Sequence, residues 1–87
     1  MRKVGIDLGT TNLLICVDNE GVVIDEPSVL TVDAQTKKCI AAGKEAKEML
    51  GRTPGSMITI RPLKDGVIAD FEATEMLLNY FFKQCNL

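Results

Sequence analysis

The chain has 87 residues, of which 46% are hydrophobic and 25% charged, with a formal net charge of −2. That balance is too apolar for a disordered chain, too interrupted by charge for a membrane span, and without the basic footprint of a nucleic-acid binder. Histidine is absent, which excludes Ser-His-Asp and Cys-His catalytic arrangements. The three cysteines, Cys16, Cys39 and Cys85, show no C-x-x-C spacing and read as reduced small hydrophobes of a cytoplasmic protein. Asp7 breaks the apolar opening stretch, so no signal-peptide core forms.

Taken in chain order, Val4, Ile6 and Leu8 alternate with smaller or polar residues, the mark of a half-buried strand. Gly9-Thr10-Thr11-Asn12 is a turn, and Leu13 to Val17 form a second, more continuously apolar strand. After the turn cluster Asp18-Asn19-Glu20-Gly21 comes Val22-Val23-Ile24. Connections this short predict an antiparallel three-stranded meander, because parallel pairing needs long crossovers. Glu26-Pro27-Ser28 marks the exit from that sheet.

A smaller unit follows. Val29 to Val32 and Cys39 to Ala42 flank a candidate hairpin turn over Asp33 to Lys38. Gly43 to Leu50 is rich in helix formers, with Gly51 placed to end the helix. Met57 to Ile60 is a further strand, and Lys64-Asp65-Gly66 a turn before Val67-Ile68. Asp70 is a good N-cap for a last helix, with Glu72 and Glu75 near its positive end and Lys83 near the other. Glu72, Glu75, Asn79 and Lys83 make one polar stripe on that helix. The remaining apolar arc spans roughly 200°, against about 100° for an ordinary surface helix. Such a helix needs cover on more than one side, so the chain reads as a fragment of a larger fold.

The segment with chemical content is Asp7-Leu8-Gly9-Thr10-Thr11-Asn12. Glycine permits close backbone approach, successive N–H groups can form an anion nest, and the threonine hydroxyls and asparagine amide add donors. Asp7 at the strand end is a hard oxygen ligand suited to water-mediated magnesium. The same residues also suit a tight hairpin turn with no ligand. Both readings stand on the residues alone.

Ile6 to Asn12 resembles the first phosphate loop of the actin-like ATPase superfamily. Asn19 to Pro27, Gly43 to Pro54 and Arg61 to Asp70 each resemble, in order, segments of its bacterial MreB branch. Thr11 stands where MreB-type sequences usually carry alanine and DnaK-type chaperones carry threonine, whereas Leu13 replaces the usual chaperone serine. The resemblance implies an α/β fold, α+β within this stretch: part of an actin-like, ribonuclease H-like domain. It further implies opening strands over 1–30, a small inserted subdomain over 31–65 and a returning helix over 66–87.

By the same resemblance, Gly9, Thr10, Thr11 and Asn12 would line the phosphates of ATP and Asp7 would help hold Mg2+, with no catalytic residue in this stretch. The implied parent self-associates into ATP-dependent, membrane-associated filaments that set rod shape. It is cytoplasmic, with peripheral contact at the inner face of the membrane and no nucleic-acid partner. Lys44, Glu45, Lys47, Glu48 and Arg52 then read as interface charges or as a solvated face. Tyr80 to Leu87 read as core residues or as a membrane-contacting end. The alternatives are a fragment of a DnaK-type chaperone ATPase, or a nucleotide-free interaction module derived from the same fold. One loop holds a polyanion from one side only, so this chain is expected to bind ATP weakly or not at all and not to hydrolyse it.

Overall fold

Short polar turns decide the first sheet. A computed structural model describes residues 3–49 and 55–85. Strands β1 (Val4–Leu8), β2 (Asn12–Val17) and β3 (Gly21–Pro27) form the expected antiparallel meander in the order β1-β2-β3. The β2–β3 turn uses left-handed backbone at Asn19 (φ 68°) and Gly21 (φ 78°), the two residue types that enter that region most easily. The register opposes Leu8 to Leu13, Ile6 to Ile15 and Val4 to Val17, and Ile15 to Ile24 on the next strand. One face of the sheet therefore collects the apolar residues.

That pattern overstates the burial of β1. Val4 is 41% exposed and Ile6 42%, while Leu13 and Ile15 on β2 are fully buried. β1 pairs on one side only, and the core lies under β2 and β3, so the apolar face of β1 overhangs it.

The second sheet has the order β5-β4-β6, from β4 (Leu30–Asp33), β5 (Cys39–Ala42) and β6 (Met57–Ile60), all antiparallel. Asp33 shapes its hairpin: the Oδ1 atom accepts from the Gln35 N–H at 2.9 Å and from the Ser56 hydroxyl at 3.0 Å. These bonds to the ionised form hold the Asp33 carboxyl below its ordinary 3.8.

Helix α1 (Lys44–Glu48) is shorter than the sequence predicts. Gly43 has no side chain to cap it, and the cap comes from β3, where Glu26 Oε1 accepts the Lys44 N–H at 2.9 Å. The expected end at Leu50 and Gly51 lies outside the described residues, as does Arg52.

A two-stranded hairpin of β7 (Leu63–Lys64) and β8 (Val67–Ile68) leads into helix α2 (Phe71–Gln84). Its turn residues Asp65 (φ 52°) and Gly66 (φ 76°) both have positive φ, as the tightest hairpin turns require. Asp70 is the N-cap as expected: its carboxylate accepts the Ala73 N–H at 2.9 Å.

α2 lies across both sheets. Ala73, Leu77 and Phe81 share one cluster with Leu13, Ile15 and Ile24 of the first sheet and Leu30, Val32 and Ala42 of the second. Full burial of side chains such as Leu77 and Phe81 is worth about 1.5–3 kcal/mol each. The polar stripe Glu72, Glu75, Asn79 and Lys83 is exposed. Met76, Leu78, Tyr80, Phe82 and Cys85, on the flanks, are only half-buried. Phe81 is thus core, and Leu87 lies outside the described residues. The whole is a mixed α+β arrangement of antiparallel sheets, as the sequence predicts.

Candidate phosphate-binding loop

The β1–β2 turn carries Gly9, Thr10 and Thr11 and runs into Asn12 at the start of β2. Gly9 N–H donates to the Asn12 carbonyl at 2.9 Å, and a Cβ on Gly9 would come within 2.6 Å of that same oxygen. Any other residue would push the turn open, so glycine here is a steric requirement of the loop.

The loop is held from the β3–β4 junction. Buried Ser28 donates its hydroxyl to the Gly9 carbonyl at 2.7 Å and its N–H to the Thr11 carbonyl at 2.9 Å. Two loop carbonyls are thereby turned inward and satisfied. The N–H groups of Thr10 and Thr11 donate to no acceptor among the described residues, and both threonines are exposed. A turn with the Gly9 and Thr11 carbonyls tied down and two N–H groups left without an acceptor among the described residues presents donors, which is what an anion needs.

The predicted site residues come together unequally. Gly9, Thr10 and Thr11 form one contiguous loop, with Gly9 half-buried and both threonines exposed. Asn12 is exposed beside it, but its Nδ2 donates to Asp25 Oδ1 at 3.0 Å, which spends one of its two amide protons on β3. Thr10 Oγ1 accepts the N–H of Gly66 at 2.7 Å, from the β7–β8 turn 56 residues away. Asp7 is exposed near the end of β1, opposite Leu14, which in turn opposes Asp25. Among the described residues no cluster of three or more acidic or cysteine side chains could by itself enclose a metal ion. A single carboxylate with waters fits magnesium better than calcium.

Ser28, Asp25 and Gly66 belong to the loop's surroundings and carry no sequence signal for it. Ser28 reads only as a strand exit, and the other two contacts appear once the chain is folded. The groups with displaced ionisation lie elsewhere. Burial pushes the Cys39 and Cys85 thiols up, and pushes the Tyr80 hydroxyl up with help from the nearby Glu45 carboxylate. Cys39 Sγ is 3.5 Å from the Ala41 carbonyl, to which it donates.

Comparison with known proteins decides the family. The sequence profile of the MreB/Mbl protein family matches residues 1–87. The chain belongs to the MreB/Mbl family. It is 56% identical over 86 residues to the cell shape-determining protein Mbl of Bacillus cereus, covering 99% of this chain and 26% of that protein. It is 60% identical over 87 residues to the cell shape-determining protein MreB of Haemophilus influenzae, covering 95% of this chain and 25% of that protein. The crystal structure of MreB5 of Spiroplasma citri bound to AMPPNP superposes with a TM-score of 0.87 at 43% identity. That match covers 97% of this chain and 25% of the other. The MreB/Mbl chain described here therefore spans about a quarter of the length of these relatives, and its α+β arrangement is part of an actin-like fold. The family assignment sets aside the chaperone reading that Thr11 left open.

Proposed function

We propose that this chain is the opening segment of an MreB-like actin homologue, and that its β1–β2 loop contributes one side of the site for the phosphates of ATP. The observation that carries this is the loop itself. Ser28 fixes the Gly9 and Thr11 carbonyls, and the Thr10 and Thr11 N–H groups have no acceptor among the described residues. The superposition on an AMPPNP-bound MreB5 supports it. Thr10 and Thr11 donate to phosphate oxygens, Gly9 keeps the turn tight enough for their approach, and Asn12 offers its remaining amide proton. Asp7 would help hold magnesium through water. Magnesium, when bound, neutralises phosphate charge.

In this reading residues 1–30 are the opening strands, 31–65 a small subdomain and 66–87 the helix returning to the main domain. The parent protein forms ATP-dependent filaments, associated peripherally with the cytoplasmic face of the membrane, that set cell shape. Lys44, Glu45, Lys47 and Glu48 are exposed on α1 and are the candidate charges for contact between copies of the parent.

The chain alone meets phosphate from one side, and a polyanion left hydrated on the other side gains little. Calorimetry with ATP is expected to show binding weaker than submillimolar and no hydrolysis. A submillimolar affinity would show that the loop suffices without the opposite wall. In the full-length parent, ATP affinity unchanged by Gly9→Val would remove the site itself.

A further inference from the structure

One flank of α2 borders an open groove of about 630 Å³, walled on its other side by Lys38 and Cys39 where β5 begins. β5 is an edge strand, paired with β4 alone. On the helix, Met76, Asn79, Tyr80 and Lys83 stand three and four positions apart and so share one face. Met76 and Tyr80 make that face partly apolar. The Tyr80 ring sits edge-on to Phe81, with centroids 5.3 Å apart and planes at 88°, which ties it to the core. Methionine, unbranched and polarisable, adapts its shape to an apolar guest.

The polar groups at the groove are of two kinds. Asn79 and Gln84 carry side-chain amides, each with donors and an acceptor, the complement of a peptide bond. Lys38 and Lys83 carry charge: both are exposed, and neither ammonium has an ion-pair partner among the described residues. Among those residues no carboxylate lines the groove, although the chain has 12 acidic residues against 10 basic ones. The carboxylates that the Tyr80 hydroxyl feels, Glu45 and Glu26, are not lining groups. Two unpaired cations beside an apolar floor complement an anionic ligand with an apolar part. The amides decide its class, because a peptide backbone answers them and a lipid tail leaves them idle.

We propose that the groove between β5 and α2 is a docking site for an acidic, partly apolar peptide segment of a partner protein. Its carboxylates meet Lys38 and Lys83, an apolar side chain covers Met76 and Tyr80, and its backbone bonds to Asn79 and Gln84. The site is separate from the β1–β2 loop and stands whether or not that loop binds phosphate.

The test selects random octapeptides, displayed on phage, against the chain and measures the enriched ones by fluorescence anisotropy. These are expected to carry acidic residues on both sides of an apolar one and to bind more weakly as salt rises. Reversing both charges, Lys38→Glu with Lys83→Glu, should weaken binding about 10-fold or more, the loss of charged hydrogen bonds. Lys38→Arg with Lys83→Arg should keep it. Backbone amides of Cys39, Met76 and Lys83 should shift on binding, with those of Gly9 and Thr11 unmoved. Unchanged amides at Leu77 and Phe81 confirm that each variant is folded. A selection without enrichment overturns the proposal. So do peptides that bind the reversed variant equally well, or that shift amides elsewhere. Phosphatidylglycerol vesicles that displace the peptides from the wild type would assign the groove to lipid instead. Peptides that bind the chain and not the full-length parent would show the groove closed by the rest of the fold, which overturns the site in the parent.

Discussion

Gly43 shows how much one residue can be asked to do. Its backbone (φ 66°, ψ −133°) lies in a region that side chains disfavour, and a Cβ there would run into the Glu26 carboxylate and come within 2.8 Å of the Phe81 ring. Those are the group that caps α1 and a central core side chain. Gly43→Ala is expected to destabilise the chain by roughly 2–5 kcal/mol, combining backbone strain with overpacking. Denaturant unfolding of the two proteins measures it, and a cost near zero would mean that Glu26 and Phe81 move aside freely.

Asp33 predicts a pH effect at the same scale. Its carboxyl is lowered in the folded chain by the Gln35 and Ser56 hydrogen bonds, so the folded state favours the ionised form. The stability it contributes is complete above the ordinary value of 3.8 and is lost as the pH falls through the lowered native value. Acid titrations of wild type and Asp33→Asn should therefore diverge above that window and converge below it.

At the scale of elements, legibility followed locality. The β1–β2–β3 meander could be read because turn residues and alternation lie within a few positions of one another. The N-cap at Asp70 was readable for the same reason. Glu26 as the cap of α1 was not, because the helix sequence contains no trace of a carboxylate 18 residues earlier. β7 was not either, since a two-residue strand has no period. In the candidate site, Gly9, Thr10 and Thr11 stand as expected in one loop, whereas Ser28, Asp25 and Gly66 arrive from distant positions. The depth of β1 misled for a different reason: alternation says which face a residue takes, and the neighbours decide whether that face is covered.

α2 offers the cleanest test among the elements. Asp70→Ala should cost about 1 kcal/mol through loss of the cap. It should also loosen the first turn, through the Ala73 N–H that loses its acceptor. Hydrogen exchange at Ala73 reads the local effect and thermal unfolding the global one. Equal exchange in both proteins would mean that another group takes over the cap.

For the whole molecule, shape and surface point the same way. The described chain measures 42 × 27 × 21 Å with a radius of gyration of 13.0 Å. A compact domain of this length would have a radius of gyration of about 12 Å. Val4 and Ile6 overhang the core on an edge strand, and Phe71 at the head of α2 is 77% exposed. Apolar surface of this kind on an open sheet edge promotes association. The unfolding midpoint of the isolated chain is expected to rise with protein concentration, as it does when copies cover one another. A midpoint independent of concentration, from a monomer by ultracentrifugation, would contradict this.

The junction at Ser28 has a practical side. Ser28 and Val29 alone connect the two sheets, and both the hydroxyl and the N–H of Ser28 are already spent on the carbonyls of Gly9 and Thr11. Anyone wishing to splice a fluorescent reporter into this part of the protein meets two loops of opposite tolerance. Lengthening the chain between β3 and β4 would pull Ser28 away and reshape a turn at the far end of the first sheet. Among the described residues the exposed tip over 35–37 has no such tie to the β1–β2 loop and can be opened without disturbing it.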